Sequence, residues 1–212
     1  MPTEYEFYTA LEKRHGTELQ RKIRKSCVAV CGLGGLGSNI AVLLARMGIG
    51  KLLLFDFDSV DLSNIGRQHY FLSQIGMLKT DAITEIISGI NPYCSVVTAN
   101  IRLDSNNIPT VLKDADIVCE AFDNPESKAV LVDTVCEKFP GKYLVTASGM
   151  SGIHTANIIT TRQVTKKFFV CGDGESTIEK DGTLFASRVA VCASHQANAI
   201  IQIIGKEDFD EQ

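Results

Sequence analysis

A glycine-rich turn is the first group of residues in this sequence whose types and spacing could do chemistry. The apolar run 27–31 leads directly into Gly32–Gly37, which has the pattern GxGGxG. A turn of this kind opens a helix, so that free backbone N–H groups and the positive helix terminus face a phosphate. An ordinary tight strand-to-helix turn is the structural alternative. The glycines predicted to contact a nucleotide are Gly32, Gly34, Gly35 and Gly37.

Acidic residues follow the next apolar run, 51–56. Asp56 ends that run about twenty residues beyond the turn, where an acid accepts hydrogen bonds from ribose hydroxyls in nucleotide-binding folds. Asp58 is included among the candidate nucleotide-binding residues, although it and Asp61 could also be solvated loop acids. The glycines and Asp56 alone would favour a dinucleotide-dependent dehydrogenase.

Two cations indicate a triphosphate instead. Arg67 lies in an Asn-x-x-Arg-Gln motif, between Asn64 and Gln68, on a loop at the ligand-binding edge of the expected sheet. Lys79 follows twelve residues later, in the first turns of a predicted helix. An arginine binds phosphate bidentately and a lysine acts as a point charge, so both could contact one polyphosphate.

Asp123 follows the apolar run 117–120 and precedes Asn124. A single carboxylate opposite two phosphate-binding cations suits a magnesium ion whose other ligands are water and nucleotide oxygens. The alternative for Asp123 is an N-cap of the helix that Pro125 begins, and both roles could hold together.

The elements that must position these residues alternate between strand and helix. Residues 4–25 predict an amphipathic helix or helix pair, with a break at Gly16. The alternation predicts an α/β fold with a doubly wound, Rossmann-like, mostly parallel sheet. The predicted strands are 27–31, 51–56, 96–99, 117–120 and 143–147, and the predicted helices are 35–47, 74–89 and 126–138.

After Gly149 the pattern changes. Strands are predicted at 154–161 and 166–170 as an antiparallel extension, followed by an exposed loop, 171–183. A closing helix, 186–204, ends at Gly205 before a short acidic tail. We expect one domain over 1–212, with an N-terminal helical segment 1–25, a nucleotide-binding core 26–149 and a C-terminal part 150–212.

Composition excludes several classes of protein. The 212 residues are 45% hydrophobic and 22% charged, with a net charge of −4, which disfavours disorder and nucleic-acid binding. No run is long and apolar enough to span a bilayer and residues 1–25 do not resemble a signal peptide, so a soluble cytoplasmic protein without membrane partners is expected. The seven cysteines form no CxxC pair, which argues against a disulfide scaffold and a structural zinc.

Five motifs in this order resemble the ubiquitin-activating superfamily, and the bacterial members ThiF and MoeB are the most similar in pattern. The short ThiF-like subgroup, without zinc, fits best, over about residues 10–204. The motifs are Gly32–Gly37, Asp56–Asp58, Asn64–Gln68, Gly76–Lys79 and Phe122–Asn124.

This resemblance implies adenylation of the C-terminal glycine carboxylate of a ubiquitin-like sulfur carrier protein, for thiamine or a related cofactor, usually by a homodimer. It places ribose on Asp56, magnesium on Asp123 and phosphates on Asn64, Arg67, Gln68 and Lys79. It also implies an arginine from the N-terminal helix of the neighbouring subunit, for which Arg14 is the candidate.

The sequence departs from typical ThiF and MoeB in lacking their two zinc-binding CxxC pairs and in its short C-terminal part. No cysteine is assigned a covalent link to the carrier, although Cys171 and Cys192 lie in the appropriate half. Two other functions stay open. One is an NAD-dependent oxidoreductase, which would leave Arg67, Lys79 and Asp123 unexplained and has no evident acid for hydride transfer. The other is a non-catalytic nucleotide-binding partner subunit.

Overall fold

The central strands β1, β4 and β5 are buried at every position because both faces of the sheet are covered. The computed structural model describes residues 1–206, in which seven strands form one sheet in the order β3-β2-β1-β4-β5-β7-β6. All neighbouring pairs are parallel except β6 and β7. The α/β class, the mostly parallel sheet and the antiparallel C-terminal pair are confirmed. The strands are β1 Cys27–Cys31, β2 Lys51–Asp56, β3 Ser95–Asn100, β4 Ile117–Glu120, β5 Tyr143–Ala147, β6 Thr160–Thr165 and β7 Phe168–Gly172.

The helices cover the two faces of the sheet and divide the core in two. Alternate residues of β1 show this division, since Val28 and Val30 face α3, α4 and α8 whereas Ala29 and Cys31 face α5 and α6. Helices on both faces are typical of a parallel sheet, which buries both of its surfaces. The helices are α1 Glu4–His15, α2 Thr17–Lys25, α3 Gly35–Arg46, α4 Lys79–Ile90, α5 Ile108–Val111, α6 Pro125–Lys138, α7 Ile178–Asp181 and α8 Ala186–Lys206.

The two N-terminal helices pack at the edge of the sheet where the strands begin. Gly16, with φ +84°, separates α1 from α2, as its position predicted. The side-chain amide of Gln20 donates to the carbonyl of Met47 at 3.3 Å, just before β2. A Cβ atom on Gly48 would lie 2.5 Å from Leu11 and Gln20, so this close contact requires glycine. The N-terminal segment is therefore fixed on the side of the sheet opposite to the carboxyl ends of the strands.

Three predicted elements were wrong in their bounds. The helix predicted at 74–89 begins only at Lys79, because Gly76 adopts φ +90° and Leu72–Gln74 forms a separate 3-10 turn. The strand predicted at 154–161 is Thr160–Thr165, since the segment before it is held in a loop by hydrogen bonds to Arg188. The predicted loop 171–183 contains the end of β7 and α7. Helix α5 was not predicted, and the acidic tail lies outside the described residues.

No helix among residues 1–206 is both long and apolar enough to cross a membrane.

Candidate nucleotide-binding site

A cavity of about 490 Å³ lies at the carboxyl edge of the sheet. Strand β1 pairs with β2 on one side and with β4 on the other, so the strand order reverses between β1 and β4. Open α/β sheets bind ligands at such a topological switch point, at the carboxyl ends of the strands. The cavity is lined by the segments that follow five parallel strands, and among its lining residues are Gly32, Asp56, Ile101, Asp123 and Ser148.

The glycine turn forms one wall of this cavity. Gly32 has φ +94°, and a Cβ atom there would lie 2.9 Å from the carbonyl oxygen of Ala121, so only glycine fits. Gly34 and Gly35 also line the cavity. Gly37 does not line it: a Cβ atom at this position would lie 1.8 Å from the carbonyl oxygen of Gly32. The structure therefore gives Gly37 a packing role, because it allows α3 to approach β1.

Asp56 binds the turn to the end of β2. Its carboxylate accepts hydrogen bonds from the backbone N–H groups of Leu33 at 2.6 Å and Asp58 at 2.8 Å. The hydroxyl of Tyr70 donates to the carbonyl of Leu33 at 2.8 Å, so this residue is held from both sides. Asp56 lies in the cavity wall as predicted, and its contact with ribose remains a prediction.

Lys79 begins α4, and its side chain is only 7% exposed. The ammonium lies 2.8 Å from a carboxylate oxygen of Asp58 and 3.9 Å from one of Asp56. Both Lys79 and Asp58 line the cavity. In this structure, Asp58 is thus the counter-ion of Lys79, a pairing that sequence reasoning missed.

Arg67 and Gln68 line the cavity, and each has one buried side-chain atom without a hydrogen-bond partner among the described residues. Arg67 donates from Nη1 to the carbonyl of Ser63 at 3.1 Å, whereas its Nε is buried without a partner among the described residues. The side-chain oxygen of Gln68 is also buried without a hydrogen-bond partner among the described residues. A guanidinium that lines a cavity can donate to phosphate oxygens, so Arg67 fits the phosphates of a nucleotide. The unpartnered atom of Gln68 is an acceptor, which fits a hydrogen-bond donor and not a phosphate oxygen.

Asn64 is not brought into the cavity. Its side-chain oxygen accepts from the backbone N–H of Asp61 at 3.0 Å, which closes the 3-10 turn Leu62–Asn64. Asn64 lies in the same loop as Arg67, so the structure gives it a part in shaping that loop. Its contact with a phosphate remains a prediction.

Asp123 is exposed at the rim of the cavity, directly after β4. The proposed N-cap role of Asp123 was wrong: Asn124 caps α6, because its side chain accepts from the N–H of Ser127 at 2.8 Å. Within residues 1–206 no three His, Cys, Asp or Glu side chains group together as ligands for a metal ion. One carboxylate fits a magnesium ion only if phosphates and water supply the other ligands.

A buried ion pair lies beside Asp123, and sequence reasoning missed it. Glu120, the last residue of β4, is fully buried and pairs with the ammonium of Lys128, which lines the cavity. Burial raises the pKa of Glu120, although Lys128 opposes this shift. A charged residue that ends an otherwise apolar strand was the available signal in the sequence.

A second buried ion pair joins the two C-terminal segments that complete the cavity. Arg188 of α8 pairs with Asp173 and donates to the carbonyls of His154 at 2.7 Å and Thr155 at 2.8 Å. The carboxylate of Asp173 also accepts from the N–H of Ser176 at 2.8 Å. The first segment, residues 149–155, lines the cavity with Met150 and Ser151. The second segment, residues 173–179, lines it with the residues from Ser176 to Glu179.

Three other candidates lie outside the cavity. Arg14 is exposed on α1, which packs at the opposite edge of the sheet. Cys171 and Cys192 are fully buried, and burial raises their pKa to about 11 and about 12 respectively. Since a thiolate is the reactive form of cysteine, neither thiol is prepared for nucleophilic attack.

A family model described as the ThiF family matches residues 8–212. The chain belongs to the ThiF family. The resemblance to the ubiquitin-activating superfamily is thereby confirmed.

Curated relatives of this ThiF-family chain include an adenylyltransferase and sulfurtransferase and a ubiquitin-like modifier-activating enzyme. It is 33% identical over 141 residues to adenylyltransferase and sulfurtransferase UBA4 from Kluyveromyces lactis, covering 66% of this chain and 31% of that protein. It is 33% identical over 147 residues to ubiquitin-like modifier-activating enzyme 5 from Oryza sativa, covering 63% and 35%. The chain thus spans about a third of the length of these relatives.

Solved structures share the fold. Escherichia coli tRNA N6-threonylcarbamoyladenosine dehydratase, TcdA, in complex with AMP has a TM-score of 0.84 at 21% identity, covering 93% of each chain. Escherichia coli MccB with AMPCPP and MccA has a TM-score of 0.67 at 26% identity, covering 89% of this chain and 58% of that one.

Proposed function

We propose that this chain is an adenylyltransferase that activates the C-terminal glycine carboxylate of a ubiquitin-like sulfur carrier protein with ATP. The observation that carries the proposal is that Arg67, Lys79 and the glycine turn line one cavity at the carboxyl edge of the sheet. The relatives support the choice of substrate, since UBA4 is named as an adenylyltransferase and sulfurtransferase. Thiamine or a related cofactor would receive the sulfur.

The reaction needs positioning and charge neutralisation more than acid–base chemistry. The carrier carboxylate is ionised at neutral pH, so its oxygen attacks the α-phosphorus without a general base. An acyl-phosphate bond forms, the bond between the α- and β-phosphates breaks, and pyrophosphate leaves. Arg67 and Lys79 stabilise the negative charge on the phosphates, and Asp56 orients the ribose.

Asp123 would hold the magnesium ion that accompanies ATP. The ion would supply further charge neutralisation at the phosphates. The exposed, unpartnered carboxylate at the end of β4 supports this assignment within the described part of the chain.

A homodimer would complete the site. Because α1 lies at the amino edge of the sheet, Arg14 is placed to reach a neighbouring subunit rather than the cavity of its own chain. Large apolar side chains near the Arg67 loop are exposed and are available for such an interface: Leu62, Phe71, Leu72 and Ile75.

Two other functions are disfavoured. An NAD-dependent oxidoreductase leaves the two cations that line the cavity, Arg67 and Lys79, without a purpose. A non-catalytic partner subunit has no need of both cations and Asp123. We therefore expect the chain to bind ATP with magnesium at least tenfold more tightly than NAD, in isothermal titration calorimetry. Binding of NAD without ATP would overturn the proposal.

Carrier-dependent exchange of labelled pyrophosphate into ATP tests the activity itself. The probes are purified ubiquitin-like sulfur carriers ending in Gly-Gly, and the matched control is each carrier without its last glycine. We expect exchange with an intact carrier and none with the truncated one. ATP binding without exchange for any carrier would favour the non-catalytic function.

A further inference from the structure

We infer that the ion pair between Glu120 and Lys128 positions Asp123 at the phosphates. This inference rests on the proposed function, in which Asp123 holds magnesium. Neither member of the pair belongs to the phosphate-binding motifs, and Glu120 is fully buried away from any ligand.

Glu120 fixes the chain on the N-terminal side of Asp123. One of its carboxylate oxygens accepts from the backbone N–H of Phe122 at 2.7 Å, and the other is paired with Lys128. The backbone carbonyl of Glu120 accepts from the side chain of Gln196 on α8 at 2.9 Å. The segment that leads into Asp123 is therefore held through both its side chain and its backbone.

Lys128 fixes the chain on the C-terminal side. It lies one turn into α6, and besides Glu120 its ammonium donates to the carbonyl of Ala147, the last residue of β5, at 2.9 Å. Asn124 caps the same helix. The residues on both sides of Asp123 are thus bound to β4, β5 and α6, while the Asp123 side chain itself faces the cavity rim.

The energetics favour a positioning role over a purely stabilising one. The Glu120 carboxylate is fully buried while the Lys128 side chain keeps 29% exposure, and apolar residues of similar volume often stabilise a fold as well as or better than such a pair. Lys128 also brings little net charge to the cavity, because Glu120 neutralises it. The pair instead fixes the position of the loop. Residues that bind a metal or phosphate must be held within about 0.5 Å of their productive position.

Calorimetric binding of ATP, with and without magnesium, tests this role in the full chain. We expect Lys128→Ala to lower the affinity for ATP in magnesium by about 10-fold or more, as substitutions behind a metal ligand commonly do. Affinity for metal-free ATP should change by less than about twofold, because the pair acts through Asp123. Lys128→Arg, which keeps the positive charge, should retain most of the wild-type affinity for ATP in magnesium. Lys138→Ala, on the same helix but in an exposed pair with Glu137, is the matched control.

A double-mutant cycle separates positioning from an independent effect. In the Asp123→Ala background, Lys128→Ala should cause no further loss of magnesium-dependent affinity. Glu120→Gln, which keeps the side-chain shape, should repeat the result if Lys128→Ala fails to fold. Full additivity with Asp123→Ala, or unchanged magnesium-dependent affinity in the folded single variants, would overturn the inference.

The same measurements distinguish this inference from the proposed function. If the wild-type protein binds ATP independently of magnesium, the inference fails whatever the carrier. If magnesium-dependent binding follows the cycle but no carrier supports exchange, only the adenylation of a carrier fails.

Discussion

At the scale of single residues, the cations of the cavity differ in how the protein holds them. Arg67 keeps an unpartnered Nε, whereas Lys79 is buried against Asp58 at 2.8 Å. Lys79 can therefore contact a phosphate only by sharing or exchanging its carboxylate partner. Preorganised charges of this kind are commonly worth a few kcal/mol in a transition state.

We expect Arg67→Ala or Lys79→Met to lower carrier-dependent pyrophosphate exchange by at least ~100-fold, because each removes one preorganised charge. Arg46→Ala, an exposed residue at the end of α3, serves as the control. Thermal unfolding would check the fold, since the Lys79 side chain is buried at the start of α4. Normal exchange in both folded variants would refute the assigned roles.

At the scale of elements, the Arg188–Asp173 pair joins α8 to the two segments that complete the cavity. Burial raises the pKa of Asp173, but hydrogen bonds from Ser176 and Glu175, together with Arg188, outweigh it and leave the pKa lowered. A carboxyl whose folded pKa lies below its unfolded value stabilises the protein at neutral pH. That contribution is lost as pH falls through the folded pKa.

We expect Asp173→Asn to lower the free energy of unfolding by about 3 kcal/mol at pH 7, because it leaves the Arg188 guanidinium buried without a counter-ion. The difference from wild type should begin to shrink below about pH 4, the ordinary pKa of an aspartate in the unfolded chain, and should shrink further as pH falls through the lower folded pKa of Asp173. Urea unfolding at pH 7 and below about pH 4 measures the difference in free energy of unfolding, with substitution of the exposed Asp133 (Asp133→Asn) as the control. An equal effect at both pH values would show that the charge of Asp173 is not responsible.

At the scale of the whole molecule, the two ends of the sheet carry different parts of the proposed site. The cavity lies where the strands end, and α1 with Arg14 lies where they begin. A two-fold symmetric dimer would repeat any contact between Arg14 and a neighbouring cavity at both sites.

We expect a zinc-free homodimer in which Arg14→Ala lowers exchange without preventing dimerisation. Mixing this variant with Asp123→Ala should restore about a quarter of wild-type activity, since random exchange makes half the dimers mixed and each mixed dimer has one intact site. Sedimentation would verify the dimer and subunit exchange. Failed complementation despite exchange would exclude Arg14 from a shared site, and stoichiometric zinc would refute the zinc-free dimer.

The sequence by itself determined the fold class and the edge of the sheet at which the nucleotide-binding motifs meet. Alternating apolar runs predicted the parallel sheet, and because ligands bind where such strands end, Asp56, Arg67 and Lys79 could be assigned to one edge. Bounds failed where local chemistry overrides periodicity, as at Gly76, where a positive φ delays the start of α4.

Only the tertiary structure decided the partners of the charged groups. Glu120 and Lys128, Asp58 and Lys79, and Asp173 and Arg188 come from different elements, and no local pattern encodes which of them meet. The structure likewise shows that Asn124 caps α6, that Gly37 allows close packing of α3 and that Asn64 closes a 3-10 turn. Periodicity reports which face of an element is buried, whereas pairing depends on how the folded elements bring distant side chains within hydrogen-bond distance.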